Sequence, residues 1–174
     1  SVFAGLRPLA APKSSGESTK EISRSHKIMV SGSNLITIIG GKWTTYRRMA
    51  QDTVDRAISL GLVAGARCVT ENLRIHGYRE TTDFDHYLYV YGSDLEKVET
   101  LIRSSEENGR QLHPRFGFRA GQVVWAVREE MALHVEDVLS RRIRALFLVA
   151  RAAREMARPV AEIMARELGR PKDW

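Results

Sequence analysis

Asn34-Leu35-Ile36-Thr37-Ile38-Ile39-Gly40-Gly41-Lys42-Trp43-Thr44-Thr45-Tyr46-Arg47-Arg48-Met49 is the stretch on which the fold turns. Its β-branched run, Leu35 to Ile39, reads as a short buried strand. Gly40-Gly41 reads as a turn, because glycine tolerates positive φ and lets the backbone approach a neighbour closely. A helix is expected to start near Trp43. Such a helix presents free N–H groups and the positive end of its dipole at the turn, and Lys42 adds a cation there. An isolated Gly-Gly-Lys is compatible with an ordinary strand-to-helix connection. The weight lies in the longer string.

Upstream, Arg7 precedes Pro8 and should be extended. Residues 10–20 have the Pro, Lys, Ser and Gly composition of a loop. Glu21 to Val30 reads as a strand, and Ser31-Gly32-Ser33-Asn34 as a hairpin-like turn into the next. Downstream, Tyr46, Met49, Ala50, Val54, Ala57 and Ile58 recur at the spacing of one buried helix face. Gly61 is the expected C-cap. Residues 62–82 read as a bridge. From Asp83 the chain reads as all helical, with His113 to Gly117 as a break. Apolar stripes run through 120–131 and 135–150. A third runs through 153–168, where Pro159 should kink or restart the helix. Val149 stands where a polar N-cap would be favourable.

The 174 residues suit one domain or slightly more, and 43% hydrophobic content suits a globular core. The 27 Lys+Arg against 21 Asp+Glu leave a charge of +6, which favours an anionic partner such as a phosphate ester, a lipid headgroup or nucleic acid. A single cysteine, Cys68, excludes an internal disulfide. No apolar run approaches the ~20 residues of a membrane span.

Four ordered segments carry a resemblance. Gly40-Gly41-Lys42-Trp43-Thr44-Thr45-Tyr46-Arg47 resembles the Gly-Gly-Lys-x-Thr-Thr-Tyr-Arg segment of the FAD-dependent glycerol-3-phosphate dehydrogenases. Gly5-Leu6-Arg7-Pro8-Leu9 resembles that family's Gly-x-Arg-Pro-Leu, and Ser23-Arg24-Ser25-His26 its Ser-Arg-x-His/Tyr. Ala126 to Glu130, with Asp137 to Arg142, resembles its C-terminal helical signature. The resemblance implies an α+β architecture. Residues 1–72 would be the end of an FAD/substrate-binding domain, and 73–174 an all-α helical bundle. No Gly-x-Gly-x-x-Gly fingerprint lies in the chain, so the chain is expected to be the C-terminal part of a longer enzyme, with the main FAD-binding turn contributed by preceding residues.

The resemblance also implies roles. Arg7 and Arg24 would clamp the phosphate of glycerol 3-phosphate, as guanidinium forks do. Lys42 would act as a catalytic and substrate-contacting cation beside the flavin, where charge grows as hydride arrives. Gly40, Gly41, Trp43 and Thr44 would shape the cofactor contact with Lys42. The electron acceptor would be a membrane quinone, the location cytoplasmic or peripheral on the inner membrane, and the assembly a homodimer. The general base would be a histidine from the preceding part. His26 reads more simply as a strand histidine. His76, His86, His113 and His134 show no metal-ligand spacing, and no metal is expected. Charged pairs among Arg128, Glu129, Glu130, Asp137, Arg141 and Arg142 read as solvated helix pairs.

Two other readings remain open. A basic helical module could bind nucleic acid, but no basic recognition helix stands out, and no nucleic-acid partner is expected. An amine or amino-acid oxidase relative would bind a carboxylate, for which one arginine suffices. The pair Arg7 and Arg24 favours the phosphate ester.

Overall fold

Serine and asparagine at the loop, with branched residues on either side, produce the first hairpin. In a computed structural model that describes residues 2, 4, 5, 25–171 and 174, β1 (His26–Val30) pairs antiparallel with β2 (Ile36–Gly40). The register places His26 opposite Gly40 and Ile28 opposite Ile38. Asn34 closes the loop at φ 62°, a left-handed conformation that asparagine tolerates. A 3₁₀ turn (Trp43–Thr45) then leads into α1 (Tyr46–Ser59). Gly61 ends α1 at φ 70°. Its N–H donates to the Ile58 carbonyl at 2.9 Å, and that of Leu62 to Ala57 at 3.1 Å. This is the paired closure that a left-handed C′ residue permits.

Two expectations need correction here. The strand is half-buried rather than buried, and no residue of α1 is buried; Val54, on the apolar stripe, is 54% exposed. The physical reason is the same for both: a two-stranded hairpin offers too little surface to cover a helix face, and is marginal by itself.

The chain divides into a unit that ends at Arg74 and a unit from Ile75 to Trp174. The second holds every fully buried side chain among the described residues. After a 3₁₀ stretch (Tyr89–Asp94) come α2 (Leu95–Arg103), α3 (Glu106–Gly109), β3 (Gln111–His113), β4 (Phe116–Arg119) and α4 (Ala120–Glu129). A π-helical turn (Asp137–Arg142), α5 (Ala145–Leu148) and α6 (Ala150–Glu167) complete it. Helix α4 lies at the centre, buried continuously from Ala120 to Ala126. On α6, Ala153, Met156, Val160, Ile163 and Met164 are buried, the stripe that the helical period requires. Pro159 sits inside α6, which neither ends nor restarts there. No side chain caps α6 at Val149.

The expectation of an all-α segment is overturned by the β3–β4 hairpin, which pairs Gln111 with Arg119 and His113 with Phe116. The "break" at Pro114-Arg115 is its turn. The expected helix over 135–150 is also interrupted. Ile143 N–H reaches back five residues to the Val138 carbonyl at 3.0 Å, and Arg144 takes φ 58°. Met131, expected on the buried face of α4, is 81% exposed because it occupies the left-handed position just past the helix end.

Asp137 secures that interrupted segment. Its Oδ2 accepts the backbone N–H groups of Leu133 at 3.0 Å and His134 at 2.9 Å. The His134 N–H is the largest cause that holds its carboxyl below the ordinary 3.8, followed by that of Leu133. A carboxyl with a lowered folded pKa stabilises above its unfolded pKa and loses that effect as pH falls through the folded value. Asp137→Ala should therefore lower Tm by about 2–4 °C at neutral pH, the consequence of losing a cap of about 1 kcal/mol. The difference from wild type should shrink as the pH of the melt is taken below about 4. Calorimetry at several pH values checks both.

Candidate functional site

Between the end of β2 and the start of the 3₁₀ turn the chain must change direction within three residues. Gly40 and Gly41 make this possible at φ 76° and 81°. A Cβ on Gly40 would lie 2.9 Å from the Ser25 carbonyl oxygen, and one on Gly41 2.5 Å from Met49 Sδ. Gly40 is therefore required by space as well as by φ, and Gly41 by φ, since the flexible end of the Met49 side chain can move aside.

Lys42 follows in extended conformation, φ −128° and ψ 148°, as the cap of the 3₁₀ turn. Its carbonyl accepts both the N–H and the hydroxyl of Thr45, each at 3.0 Å. The backbone of Lys42 is thus held while its side chain is exposed, and among the described residues no carboxylate pairs with the ammonium. Trp43 is 87% exposed, its ring 5.8 Å from that of Tyr46. Thr44 is exposed beside it.

Gly40, Gly41, Lys42, Trp43 and Thr44 thus bring together half-buried glycine backbone, an exposed cation with no carboxylate partner among the described residues, and the start of a helix. That donor set suits an electron-rich group, since each component favours negative charge. The space that a Cβ would take at the two glycines is filled by the Ser25 carbonyl and by the Met49 and His26 side chains. Arg7 and Arg24, the expected phosphate ligands, lie outside the described residues.

The sequence reading passed over a network next to this surface. His26 Nε2 lies 3.0 Å from Asp52 Oδ2, and the other oxygen of Asp52 lies 3.0 Å from Arg48 Nε. Arg47, one residue earlier, turns aside to donate to Gln51 at 2.9 Å and Thr70 at 3.3 Å. The remaining histidines also each face a carboxylate: His76 with Asp94, His86 with Glu99, His113 with Glu155 and His134 with Asp137. Most of these partners are far apart in sequence, so spacing alone gave no signal. Among the described residues no group of three ligating side chains could hold a metal ion.

In the second unit several polar residues pair with one another. Lys97 and then His76 hold the Asp94 carboxyl below its usual range. Burial pushes the Tyr91 hydroxyl up to about 12, and Gln122 donates to it at 3.1 Å. Burial also raises the Glu130 carboxyl, opposed by Arg142. Arg141 makes the expected pair with Asp137 four residues away, at 2.8 Å, whereas Arg128 reaches Glu167, at 2.6 and 3.1 Å. No helix among the described residues is long and apolar enough to cross a membrane.

Residues 23–173 match the family described as the C-terminal domain of alpha-glycerophosphate oxidase. The chain is similar to the probable mitochondrial glycerol-3-phosphate dehydrogenase of Caenorhabditis elegans, at 35% identity over 97% of this chain and 26% of the relative. It is 34% identical to the mitochondrial glycerol-3-phosphate dehydrogenase of Mesocricetus auratus, over 99% of this chain and 26% of the relative. Glycerol-3-phosphate dehydrogenase 2 of Mycobacterium tuberculosis is 32% identical, over 97% of this chain and 32% of the relative. The chain thus spans between a quarter and a third of the length of these relatives. No solved structure gives a significant match.

Proposed function

Because this chain belongs to the family of alpha-glycerophosphate oxidase C-terminal domains, we propose that it works as the C-terminal part of an FAD-dependent enzyme that oxidises sn-glycerol 3-phosphate to dihydroxyacetone phosphate. The observation that carries this reading is similarity along nearly the whole chain to relatives named for that dehydrogenase activity. The exposed Lys42 at the Gly40–Gly41 turn supports it. Residues 1–72 would finish the FAD- and substrate-binding domain. Residues 73–174 would form the mainly helical C-terminal domain. The half-covered hairpin and α1 suit a piece that packs against further sheet and helix of the parent domain.

When bound, FAD supplies the hydride acceptor. Arg7 and Arg24 bind the phosphate of the substrate and orient its C2 carbon; binding energy from the unreactive phosphate is thereby used for positioning. Lys42 holds positive charge where negative charge accumulates. The glycine backbone lets the reacting partners approach, and Trp43 and Thr44 help to shape the cofactor contact. The proton of the substrate hydroxyl leaves to a base from the preceding part of the protein. Electrons pass on to a membrane quinone, from a peripheral position on the cytoplasmic face of the inner membrane and in a homodimer. A net charge of +6 suits an anionic substrate and an anionic lipid surface.

Anaerobic addition of glycerol 3-phosphate to the full-length protein should bleach its flavin absorbance. Arg7→Ala and Arg24→Ala should each raise KM for glycerol 3-phosphate by about 10- to 100-fold, as expected for a lost charge-assisted hydrogen bond. A flavin that stays oxidised would refute the activity. Unchanged KM in both variants would remove the phosphate clamp.

A further inference from the structure

The Gly40–Gly41 turn is closely packed between its neighbours, with backbone against Gly40 and the flexible Met49 side chain against Gly41. A Cβ on Gly41 would meet Met49 Sδ at 2.5 Å on one side and His26 Cβ at 3.3 Å on the other. The start of β1 and the first turns of α1 are therefore the two walls of the turn, and the position of Lys42 depends on the gap between them. His26 lies in the first wall, opposite Gly40 in the ladder, and Asp52 lies on α1, in the second. Their side chains meet at 3.0 Å and are only 21% and 27% exposed. Arg48 steadies the far oxygen of Asp52 at 3.0 Å. A shielded pair across two elements with a third group behind it orders more than an isolated surface pair does.

The distal nitrogen of His26 is engaged by Asp52. That geometry suits a brace and not a group that takes a proton from an external substrate. We propose that His26 and Asp52 are positioning residues that set the gap between β1 and α1 and so aim the Gly40–Lys42 turn at the flavin and substrate. This rests on the functional reading above. The two residues act through the turn and touch neither ligand.

The test uses the full-length protein and two readouts. Hydrogen exchange over β2 and the first turns of α1, measured without substrate, reports the brace itself. Steady-state kinetics with glycerol 3-phosphate report its consequence. His26→Leu and Asp52→Ala should each speed exchange in both segments and lower kcat by about tenfold or more, with KM changed much less, the pattern of a displaced reacting geometry. His26→Gln, whose Nε2 can still donate to Asp52, should recover most of both losses. The double variant should be no worse than either single one, because the two residues act as one unit.

Wild-type exchange and wild-type kcat in His26→Leu would overturn the proposal. So would a double variant whose losses multiply, or a His26→Gln no better than His26→Leu. If exchange behaves as stated but the wild-type protein never reduces its flavin with glycerol 3-phosphate, the brace stands and the substrate reading fails instead.

Discussion

Lys42→Ala in the full-length enzyme is expected to slow flavin reduction by glycerol 3-phosphate by on the order of 10²–10³-fold. The ammonium is exposed, and no carboxylate among the described residues pairs with it, so its removal breaks no ion pair among them and should not disturb folding. Its carbonyl, which accepts from Thr45, is kept by any substituent, so the 3₁₀ turn survives. The loss should fall on the chemical step, visible in stopped-flow reduction at saturating substrate, with a smaller rise in KM. Lys42→Arg keeps the charge but spreads it over a planar fork, and should recover part of the rate. A Lys42→Ala enzyme that bleaches its flavin at the wild-type rate would leave the ammonium as a bystander.

The second large effect is on stability. Gly92 makes a kink inside the 3₁₀ stretch with φ 53° and ψ −124°, a combination that side chains strongly disfavour. A Cβ there would lie 1.8 Å from the Gly77 carbonyl oxygen and 2.8 Å from its carbon, both backbone atoms. Nothing flexible can move aside, so the 77 and 92 segments must separate. The Ser93 N–H bond to Gly77, at 3.2 Å, would go with them, and the His76–Asp94 contact would be strained. Gly92→Ala should cost about 3–5 kcal/mol from conformation and overlap together, lowering Tm by roughly 10 °C. Gly77→Ala is the control. It has φ 86° but nothing within 4 Å of its Cβ, so only the conformational part remains, about 1–2 kcal/mol. Equal melting of the two variants would contradict this account of the close approach.

What was legible in the sequence follows from what is local. The hairpin loop, read at 31–34 and found at 31–35, the Gly40–Gly41 turn and the Gly61 closure each depend on a residue type that suits an unusual φ, and each lies within a residue of where the reading put it. The buried stripe of α6 was legible because one period runs through a whole helix. The β3–β4 hairpin was not. Its strands are three and four residues long, its turn is Pro114-Arg115 with no Asn-Gly signal, and helical periods flank it. The π-helical turn was hidden because Val135, Val138 and Leu139 keep a helical spacing while the hydrogen bonds lengthen to five residues.

The site divides in the same way. Gly40 to Thr44 are consecutive, so one motif brought them to notice together. The His26–Asp52 brace needs β1, β2 and α1 in place before its two halves meet, and no spacing rule connects residues 26 apart. The open face of α1 had no sequence signal either, because amphipathicity says which face seeks cover and not whether cover is present.

The most direct measurement is a structure of the full-length protein with FAD and glycerol 3-phosphate bound. The account predicts Arg7 and Arg24 on the substrate phosphate at about 2.7–2.9 Å, with the Lys42 ammonium at the flavin edge or the C2 oxygen. A substrate held elsewhere, with these three cations pointing apart and the Gly40–Gly41 turn away from the flavin, would contradict it.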